Sequence, residues 1–325
     1  MIALGIETSC DETSIGIVKN RYKILSLVTL SSLNLHRKFG GVVPEIAHRK
    51  HAQFIDLVYK QALKEANISS RDINIIGVVK EPGLVGSLIV GVSFARALSL
   101  CLDKPLIEVN HLHSHLYASF FDLPRPCFPF LGVVISGGHT NIFIVHNFLE
   151  VREIACTRDD ACGEAFDKVA KILGLGFPGG PLIDKLAQQA GSTSFKFKGG
   201  AIKNSLDFSF SGLKTAIFYK VREILKSKKS LTLREKKEIS LAFQRTIVSS
   251  IIGNIKEAVK RTRIRRVVLG GGVVANSLLR KEVLSLEKEN INVFLPSVKL
   301  AQDNGAVVAG WATGVFESDF KCRNN

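Results

Sequence analysis

The pattern of apolar and polar positions at the start of the chain predicts two short strands joined by a polar turn. Apolar residues alternate over positions 2–6 and again from Ile15, and positions 7–13 between them are polar. Farther along, the spacing of apolar residues predicts a helix over 44–67, a buried strand over 75–79, a buried apolar helix over 83–102 and a strand over 106–109. This alternation of strands and helices predicts an α/β fold.

A second strand-turn-strand pattern begins after the proline-rich segment 124–129. Residues 130–135 and 141–145 read as paired strands around a Ser-Gly-Gly-His-Thr turn, which repeats the plan of the opening hairpin. A chain of 325 residues also exceeds the usual size of a single core. We therefore predict domains over 1–128 and 129–325, with a last helix that can pack back on the first domain. The second domain is predicted to contain a helix over 233–262, a strand over 267–269 and, after a triple glycine, a helix from near Asn276.

The composition indicates a globular protein with an excess of positive charge. Hydrophobic residues make up 46% and charged residues 22%, which excludes disorder, collagen and a coiled coil. A net charge of +15 attracts polyanions, and a nucleic acid is the first candidate. The alternative is a lysine-rich composition spread evenly over the surface, although basic clusters stand out at 226–229 and 261–266.

The cysteines and the chain start favour a cytoplasmic protein with no membrane segment. The six cysteines are dispersed without a CxxC pair, and the first residues lack a basic region and a cleavage site. The apolar stretch 83–102 carries Arg96 and several serines and glycines, so we expect a buried helix there.

Two histidines four residues apart point to a metal site. His111 and His115 would share one face of a helix, and a zinc or iron ion there needs a further ligand. We expect Asp303 to supply it from the second domain, leaving coordination positions open for a substrate. The alternative is that the histidines only hydrogen-bond backbone carbonyls.

Three polar or glycine-rich turns follow predicted strands, at 7–13, 136–140 and 270–272. Free backbone N–H groups in such turns can bind anionic oxygens, although a Gly-Gly pair often only closes a hairpin. Together the three turns favour a nucleotide cleft between two lobes. The P-loop and Rossmann glycine motifs are absent, and the pattern is typical of the superfamily of actin, sugar kinases and heat-shock ATPases.

Several longer motifs then make the comparison specific. In family order the chain resembles the universal tRNA threonylcarbamoyladenosine synthase family, whose bacterial members are the TsaD proteins, through GIETSCDETSIGIV, PGLVGSLIVGVSFARAL, VNHLHSHLYA, VISGGHTNIF, GEAFDKVAKILGLGFPGGP, DFSFSGLKTA, LGGGVVANSLLR and AQDNGAVVAG. This resemblance implies an actin-like ATPase fold. It also implies transfer of a threonylcarbamoyl group from threonylcarbamoyl-AMP to the N6 amine of adenosine 37, 3′ of the anticodon, in tRNAs that read codons beginning with A, with release of AMP.

The resemblance also implies ligands and partners. His111, His115 and Asp303 fall on its metal positions, with Fe²⁺ implied and Zn²⁺ as the alternative. The adenylate-binding positions are Val134, Ile135, Ser136, Gly137, Gly138, Asp167, Gly180, Asp184 and Asn276. The implied partners are tRNA, a paralogous TsaB-like subunit and a small TsaE-like ATPase.

The residue chemistry fits these roles but leaves alternatives open. Amides at 136–138 can hold a leaving phosphate, and carboxylates can accept bonds from ribose hydroxyls. Asp184 could instead be a plain helix-start acid, and Asn276 an N-cap. Asp11, Glu12 and His139 are weak catalytic candidates, and no general base is assigned. We expect His113 to point away from the metal.

Two other functions compete with the transferase. A metallopeptidase would use the paired histidines, but an HExxH motif is absent from the sequence. A nucleotide-dependent chaperone or binding module would suit an actin-like architecture, although it has no need of a histidine-aspartate metal site.

Overall fold

Two five-stranded mixed sheets form the centres of the fold. The computed structural model describes residues 1–202 and 204–324, without the side chains of 200, 201 and 321–324. The chain divides into unit 1, which comprises Met1–Phe128, His146–Val151 and Pro296–Asn325, and unit 2, which comprises Pro129–Val145 and Arg152–Leu295. The chain thus enters unit 2 at Pro129, returns to unit 1 briefly over His146–Val151, and returns to it again at Pro296.

The first run of unit 1 contains strands and helices close to the predicted ones. In chain order these are β1 (Ile2–Glu7), β2 (Glu12–Lys19), β3 (Lys23–Ser31), α1 (Leu33–His36), α2 (Pro44–Ala66), β4 (Ile75–Glu81), α3 (Val85–Leu102), β5 (Leu106–Asn110) and α4 (His111–Leu116). The sheet order is β3-β2-β1-β4-β5, in which β1 pairs antiparallel with β2 and parallel with β4. The opening hairpin is confirmed, whereas β3 and α1 had no predicted counterpart.

Helix α2 illustrates how local sequence sets an element of unit 1. Pro44 lies at the first helical position, where its missing N–H costs no hydrogen bond. Asn67 ends the helix in the left-handed conformation, with φ 52°. Ile55 and Val58 on the buried face pack in one cluster with Ile6 and Ile15 of the sheet. The sheet face is therefore closed by a helix whose bounds match the predicted ones.

Helix α3 corrects the expectation of a buried apolar helix. Its Ala95 is fully buried, but Val85, Ile89 and Leu100 are 74%, 59% and 83% exposed. The amino-acid composition shows that a helix is apolar, but it does not show which faces of the helix are covered by other elements. By length and hydropathy α3 could also cross a membrane, a test that core helices of soluble proteins pass as well.

Unit 2 repeats the sheet plan of unit 1. Its elements and the last helix of the chain are β6 (Phe130–Ile135), β7 (Thr140–Val145), β8 (Val151–Cys156), α5 (Cys162–Ile172), α6 (Gly179–Gln188), β9 (Gly200–Ala201), β10 (Phe208–Ser209), α7 (Ser211–Ile224), α8 (Leu233–Thr262), β11 (Arg266–Gly270), α9 (Ser277–Ser285), β12 (Asn292–Phe294) and, in unit 1, α10 (Gly305–Asn324). The sheet order β12-β11-β6-β7-β8 again pairs an antiparallel hairpin with a parallel strand. Short 3-10 helices occupy Arg37–Phe39, Ser70–Asp72, Tyr117–Phe120, Gly272–Ala275, Leu286–Glu289 and Val298–Leu300.

The long helix α8 organises the core of unit 2. A capping box starts it, because the Thr232 hydroxyl accepts a bond from the Glu235 N–H and the Glu235 carboxylate accepts one from the Thr232 N–H. Arg263 ends it with φ 61°. Phe243 of α8 meets Phe166 of α5 edge to face, with 5.0 Å between ring centroids. The predicted helix over 233–262 is confirmed in type and bounds.

A row of three glycines lets α10 lie against the sheet of unit 1. Gly5 is the cross-strand partner of both Gly16 and Gly77, so the three lie side by side on β2, β1 and β4. A Cβ on Gly5 would lie 2.1 Å from the Gly305 carbonyl oxygen, and one on Gly16 would lie 2.2 Å from the Ala306 nitrogen. Backbone therefore packs directly on backbone, which only glycine allows.

Replacing Gly16 by alanine should destabilise unit 1. The added methyl group would overlap the α10 backbone, and backbone on both sides leaves no flexible side chain to move, so we expect a loss of about 3 kcal/mol. Chemical denaturation measures this free energy of unfolding. The matched control is Gly253→Ala on α8, where a Cβ meets nothing within 4 Å and the helix should gain about 0.5–1 kcal/mol. Equal stability of Gly16→Ala and the parent would contradict the packing argument.

Candidate functional site

The histidine pair lies on α4, directly after strand β5. Asn110 caps the helix, and its side-chain oxygen accepts bonds from the N–H groups of Leu112 and His113 at 2.9 and 3.2 Å. His111 and His115 are therefore one helical turn apart on the same face, and both are buried. Their rings stand edge to face with 4.6 Å between centroids. The predicted shared helical face is confirmed.

Asp303 lies beside both histidines. Its Oδ1 is 3.2 Å from Nε2 of His115 and 3.8 Å from Nε2 of His111. One ligand atom from each of the three residues lies within 4.8 Å of the others. Ligands bound at 2.0–2.2 Å to one ion lie about 3 Å from each other, so these three side chains need only a small adjustment to bind a metal.

The acid reaches the histidines from within unit 1. We expected Asp303 to come from the second domain, but Pro296–Asn325 belongs to the same unit as α4. The Asn304 side chain caps α10 by accepting from the Val307 N–H at 3.2 Å, and the Gly305 N–H donates to the Ser14 hydroxyl at 3.0 Å. Because α10 docks on the glycine row, its cap residue Asn304 is held in place, and so is Asp303, which precedes it.

A buried glutamate orients His111. Nδ1 of His111 lies 2.9 Å from Oε2 of Glu7, which is 1% exposed, so Nδ1 donates to Glu7 and Nε2 is the ring nitrogen nearer to Asp303. Burial opposes a positive charge on His111, but attraction by Glu7 and Asp303 outweighs it and raises the pKa to about 9. Sequence reasoning missed Glu7, which at the end of β1 looked like an acid of a polar turn.

His115 supplies a direct test of whether a cation fits. It is 1% exposed, yet within the described chain neither ring nitrogen has a hydrogen-bond partner. Its Nε2 is within ion-pair distance of Asp303 Oδ1, but the two atoms are not aligned as donor and acceptor. A buried imidazole without hydrogen bonds is costly, whereas a bound metal would satisfy its lone pair. The donor set of two imidazoles and a carboxylate suits zinc or ferrous iron.

Glu12, the first residue of β2, is close enough to Asp303 and Asp11 for their negative charges to affect its pKa. Burial, followed by repulsion from Asp303 and Asp11, raises the pKa of Glu12 to about 10. His113, in contrast, points away from the candidate metal site as expected, since its ring lies 5.7 Å from that of Trp311. Burial lowers the pKa of His113 to about 4.

The predicted phosphate loop of unit 2 is an open hairpin turn between β6 and β7. The Ser136 N–H donates to the His139 carbonyl at 2.8 Å, and the His139 N–H donates to the Ser136 hydroxyl at 3.2 Å. Gly137 and Gly138 are exposed, and a Cβ on either would meet nothing within 4 Å. Val134 and Ile135 are buried in β6, so the backbone of the turn is the part that can bind an anion.

Other predicted binding residues of unit 2 meet at the start of α6. Oδ1 of Asp167 accepts from the Gly179 N–H at 2.6 Å, next to Gly180, where a Cβ would meet open space. Burial raises the pKa of Asp167, although the Gly179 N–H favours its ionised form. Asp184 lies one turn beyond Gly180 on the same helix. The structure therefore brings Asp167, Gly180 and Asp184 to one end of α6.

A buried amide links Asp184 to Asn276. Nε2 of Gln244 donates to Oδ1 of Asp184 at 2.8 Å and to Oδ1 of Asn276 at 3.2 Å. Asn276 also caps α9 by accepting from the Leu279 N–H at 3.0 Å, so the N-cap reading of this residue is confirmed. Both bonds engage Oδ1 of Asn276, so its Nδ2 is the side-chain group that can act as a donor. Gln244 was missed because a glutamine within a long helix ordinarily faces solvent.

The sequence family of the chain is clear from comparison with known proteins. The TsaD family model, described as tRNA N6-adenosine threonylcarbamoyltransferase, matches residues 23–310. Proteins of that name from Thermodesulfovibrio yellowstonii and Thermosipho africanus are 46% and 47% identical to the chain, each covering 95% of it and 92% of the relative.

Solved structures with little sequence similarity share the fold. Full-length HypF in its phosphate- and nucleotide-bound form superposes with a TM-score of 0.64 at 15% identity, covering 98% of this chain and 46% of HypF. Component A of (R)-2-hydroxyglutaryl-CoA dehydratase from Acidaminococcus fermentans gives 0.55 at 17% identity, covering 98% and 99%. These neighbours confirm the actin-like ATPase fold.

Glu7→Gln should weaken metal binding while preserving the fold. The amide keeps the size of the carboxylate but loses its charge, and removing such an outer partner of a ligating histidine typically costs about 10–100-fold in affinity. Competition with a chromophoric chelator for Zn²⁺ measures the change. Glu65→Gln, an exposed acid on α2, is the matched control and should bind as tightly as the parent. Unchanged affinity in Glu7→Gln would remove the proposed orienting role.

Gln244→Leu should destabilise unit 2 more than Gln188→Leu. Both amides donate to Asp184, but Gln244 is 1% exposed whereas Gln188 is exposed. Leaving buried acceptors without a donor costs about 1–3 kcal/mol, while water replaces the exposed amide. Denaturant titrations of the two variants give the comparison. Similar losses in both would show that the buried bridge does not support Asp184 and Asn276.

Proposed function

Because the chain belongs to the TsaD family of tRNA N6-adenosine threonylcarbamoyltransferases, we propose that it transfers a threonylcarbamoyl group from threonylcarbamoyl-AMP to adenosine 37 of tRNA. The acceptor is the N6 amine of the adenosine 3′ of the anticodon, in tRNAs that read codons beginning with A. The observation that carries this proposal is the convergence of His111, His115 and Asp303 in a chain of this family, where neither His115 ring nitrogen forms a hydrogen bond with the described residues.

In this reaction the N6 nitrogen attacks the carbamoyl carbon. The C–O bond of the mixed anhydride breaks, AMP leaves with the electron pair, and the nitrogen gives up a proton. The backbone amides of Gly137 and Gly138 are suited to bind the leaving phosphate, since both glycines are exposed in a hairpin turn. The Ser136 N–H already donates to the His139 carbonyl, so Ser136 would hold the shape of the turn beside the phosphate. Asp11, Glu12 and His139 stay candidates for receiving the proton.

The remaining predicted residues would bind the nucleoside of the donor. Asp167 and Asp184 can accept from ribose hydroxyls, with Gly180 providing close backbone approach. The Nδ2 of Asn276 can donate to an adenine nitrogen, because Gln244 and the α9 cap engage its oxygen. The Val134 and Ile135 side chains support the loop from the core of unit 2.

His111, His115 and Asp303 would hold one divalent metal, Fe²⁺ by family resemblance or Zn²⁺. When bound, such an ion supplies Lewis-acid polarisation of a carbonyl oxygen. Glu7 keeps His111 in the tautomer that offers Nε2, and the glycine row keeps Asp303 in reach. These are positioning roles that the chain performs with its own residues.

We also propose the partners that the resemblance implies. The +15 net charge supports tRNA as the macromolecular substrate. A paralogous TsaB-like subunit and a small TsaE-like ATPase would act with the chain, in the cytoplasm. The metallopeptidase and chaperone alternatives are not favoured, because the family and its named relatives are tRNA-modifying transferases.

Asp303→Asn should abolish tRNA modification by weakening metal binding. With threonylcarbamoyl-AMP, tRNA and the partner proteins supplied, we expect at least about a hundredfold loss, the size of effect seen when key electrostatic stabilisation is removed. Mass spectrometry of digested tRNA measures the modified nucleoside, and bound metal is measured in parallel. His146→Ala, an exposed histidine, is the control and should keep full activity. Full modification by a metal-free Asp303→Asn protein would overturn the proposed role of the metal.

A further inference from the structure

The C-terminal half of α7 presents aromatic and basic side chains together at the surface of unit 2. Phe218 and Tyr219 are 47% and 61% exposed, and their rings stand edge to face with 5.7 Å between centroids. Arg222 and Lys226 are exposed one and two turns farther along the chain. Tyr219, Arg222, Glu223 and Lys226 line a shallow cavity of about 330 Å³. We call Phe218, Tyr219, Arg222 and Lys226 the α7 surface.

The charges around this surface leave a net positive site. Lys220 neutralises Glu223, the acid that lines the cavity, at 3.0 Å. Lys228, in the following segment, pairs with Glu235. In the described part of the chain, Arg222 and Lys226 form no ion pair within 4.0 Å. Two cations thus stand beside exposed rings without a carboxylate to bind them.

This chemistry differs from that of the exposed α3 face. Val85, Ile89 and Leu100 of α3 are aliphatic, which suits burial against another protein. Exposed aromatic rings next to Arg and Lys suit single-stranded nucleic acid, because bases stack on rings while cations contact the phosphates. The α7 surface is therefore better suited to bind RNA than to bind an aliphatic surface of another protein.

Helix α7 connects this surface to the region of the phosphate loop. Asp159 accepts from the Phe210 N–H at 2.7 Å and from the Ser211 hydroxyl at 2.7 Å, which anchors the start of α7 to the segment that precedes α5. The first turn of α5 in turn meets the loop, since the Gly163 N–H donates to the Ser136 carbonyl at 3.1 Å. Tyr219 lies eight residues beyond Ser211, about 12 Å along the helix at 1.5 Å per residue. An RNA loop with one nucleotide near the phosphate loop is large enough to reach that far.

We propose that the α7 surface binds the tRNA substrate, with an unpaired base stacked on Tyr219 and backbone phosphates held by Arg222 and Lys226. This inference rests on the proposed function, because it names the residues that hold the RNA whose adenosine is modified. Phe218 supports the Tyr219 ring through their edge-to-face contact.

Fluorescence anisotropy with fluorescein-labelled tRNA tests the proposal on the full chain. Tyr219→Ala should weaken binding about tenfold, and Tyr219→Phe should bind like the parent because a phenyl ring still stacks. Arg222→Ala with Lys226→Ala should lower the steepness of log affinity against log salt by about 1 to 2, as expected for two lost phosphate contacts. Circular dichroism checks that the exposed substitutions leave the fold intact.

The control pair is Lys64→Ala with Arg71→Ala, which removes the same charge from exposed positions of unit 1 and should keep the parent affinity and salt dependence. Parent-like binding by Tyr219→Ala would overturn the proposal, as would equal losses in the control pair or no tRNA binding by the parent. A change in salt dependence for Arg222→Ala with Lys226→Ala, without any effect of Tyr219→Ala, would indicate charge attraction without base stacking and also overturns the proposal. Assaying tRNA modification by the parent separates the two levels, because an active parent with an indifferent Tyr219 defeats this inference and leaves the proposed function standing.

Discussion

The close packing of α10 on the glycine row of unit 1 is the constraint on which the candidate metal site depends. Gly5, Gly16 and Gly77 lie side by side across three strands, and no other residue type leaves room for the backbone of Gly305 and Ala306. Since Asp303 precedes the cap of this helix by one residue, the depth at which α10 docks decides where the carboxylate lies. A site built on backbone-to-backbone packing is held more rigidly than one that depends on a mobile loop.

The two units carry different parts of the chemistry. Unit 1 gathers the candidate metal donors, with Glu7 accepting from Nδ1 of His111 and His115 left without a hydrogen-bond partner among the described residues. Unit 2 gathers open backbone amides and a polar network around Asp184, in which one buried amide serves two acceptors. Both arrangements bury polar groups in fixed orientations at a cost in folding stability. This is typical of sites where chemistry or binding requires fixed donors and acceptors.

The sequence predicted those features that depend on local spacing. The opening hairpins, α2, α8 and the shared face of His111 and His115 follow from alternation, helical periodicity and capping residues. The docking of α10 does not, because the three glycines form a row only after their strands are paired in register. Glu7 and Gln244 resemble a turn acid and a surface amide until tertiary packing buries them. The exposed face of α3 could not be told from a buried one, because composition does not say which faces are covered.

X-ray absorption spectroscopy of the zinc-loaded protein shows directly whether the two histidines and Asp303 bind the metal. We expect one ion with two imidazole nitrogens and carboxylate or water oxygens at about 2.0–2.2 Å, and one imidazole fewer after His115→Ala. A spectrum dominated by sulfur at about 2.3 Å, or one without imidazole scattering, would contradict it, because Cys10 or another residue would then hold the metal in place of the histidine-aspartate set.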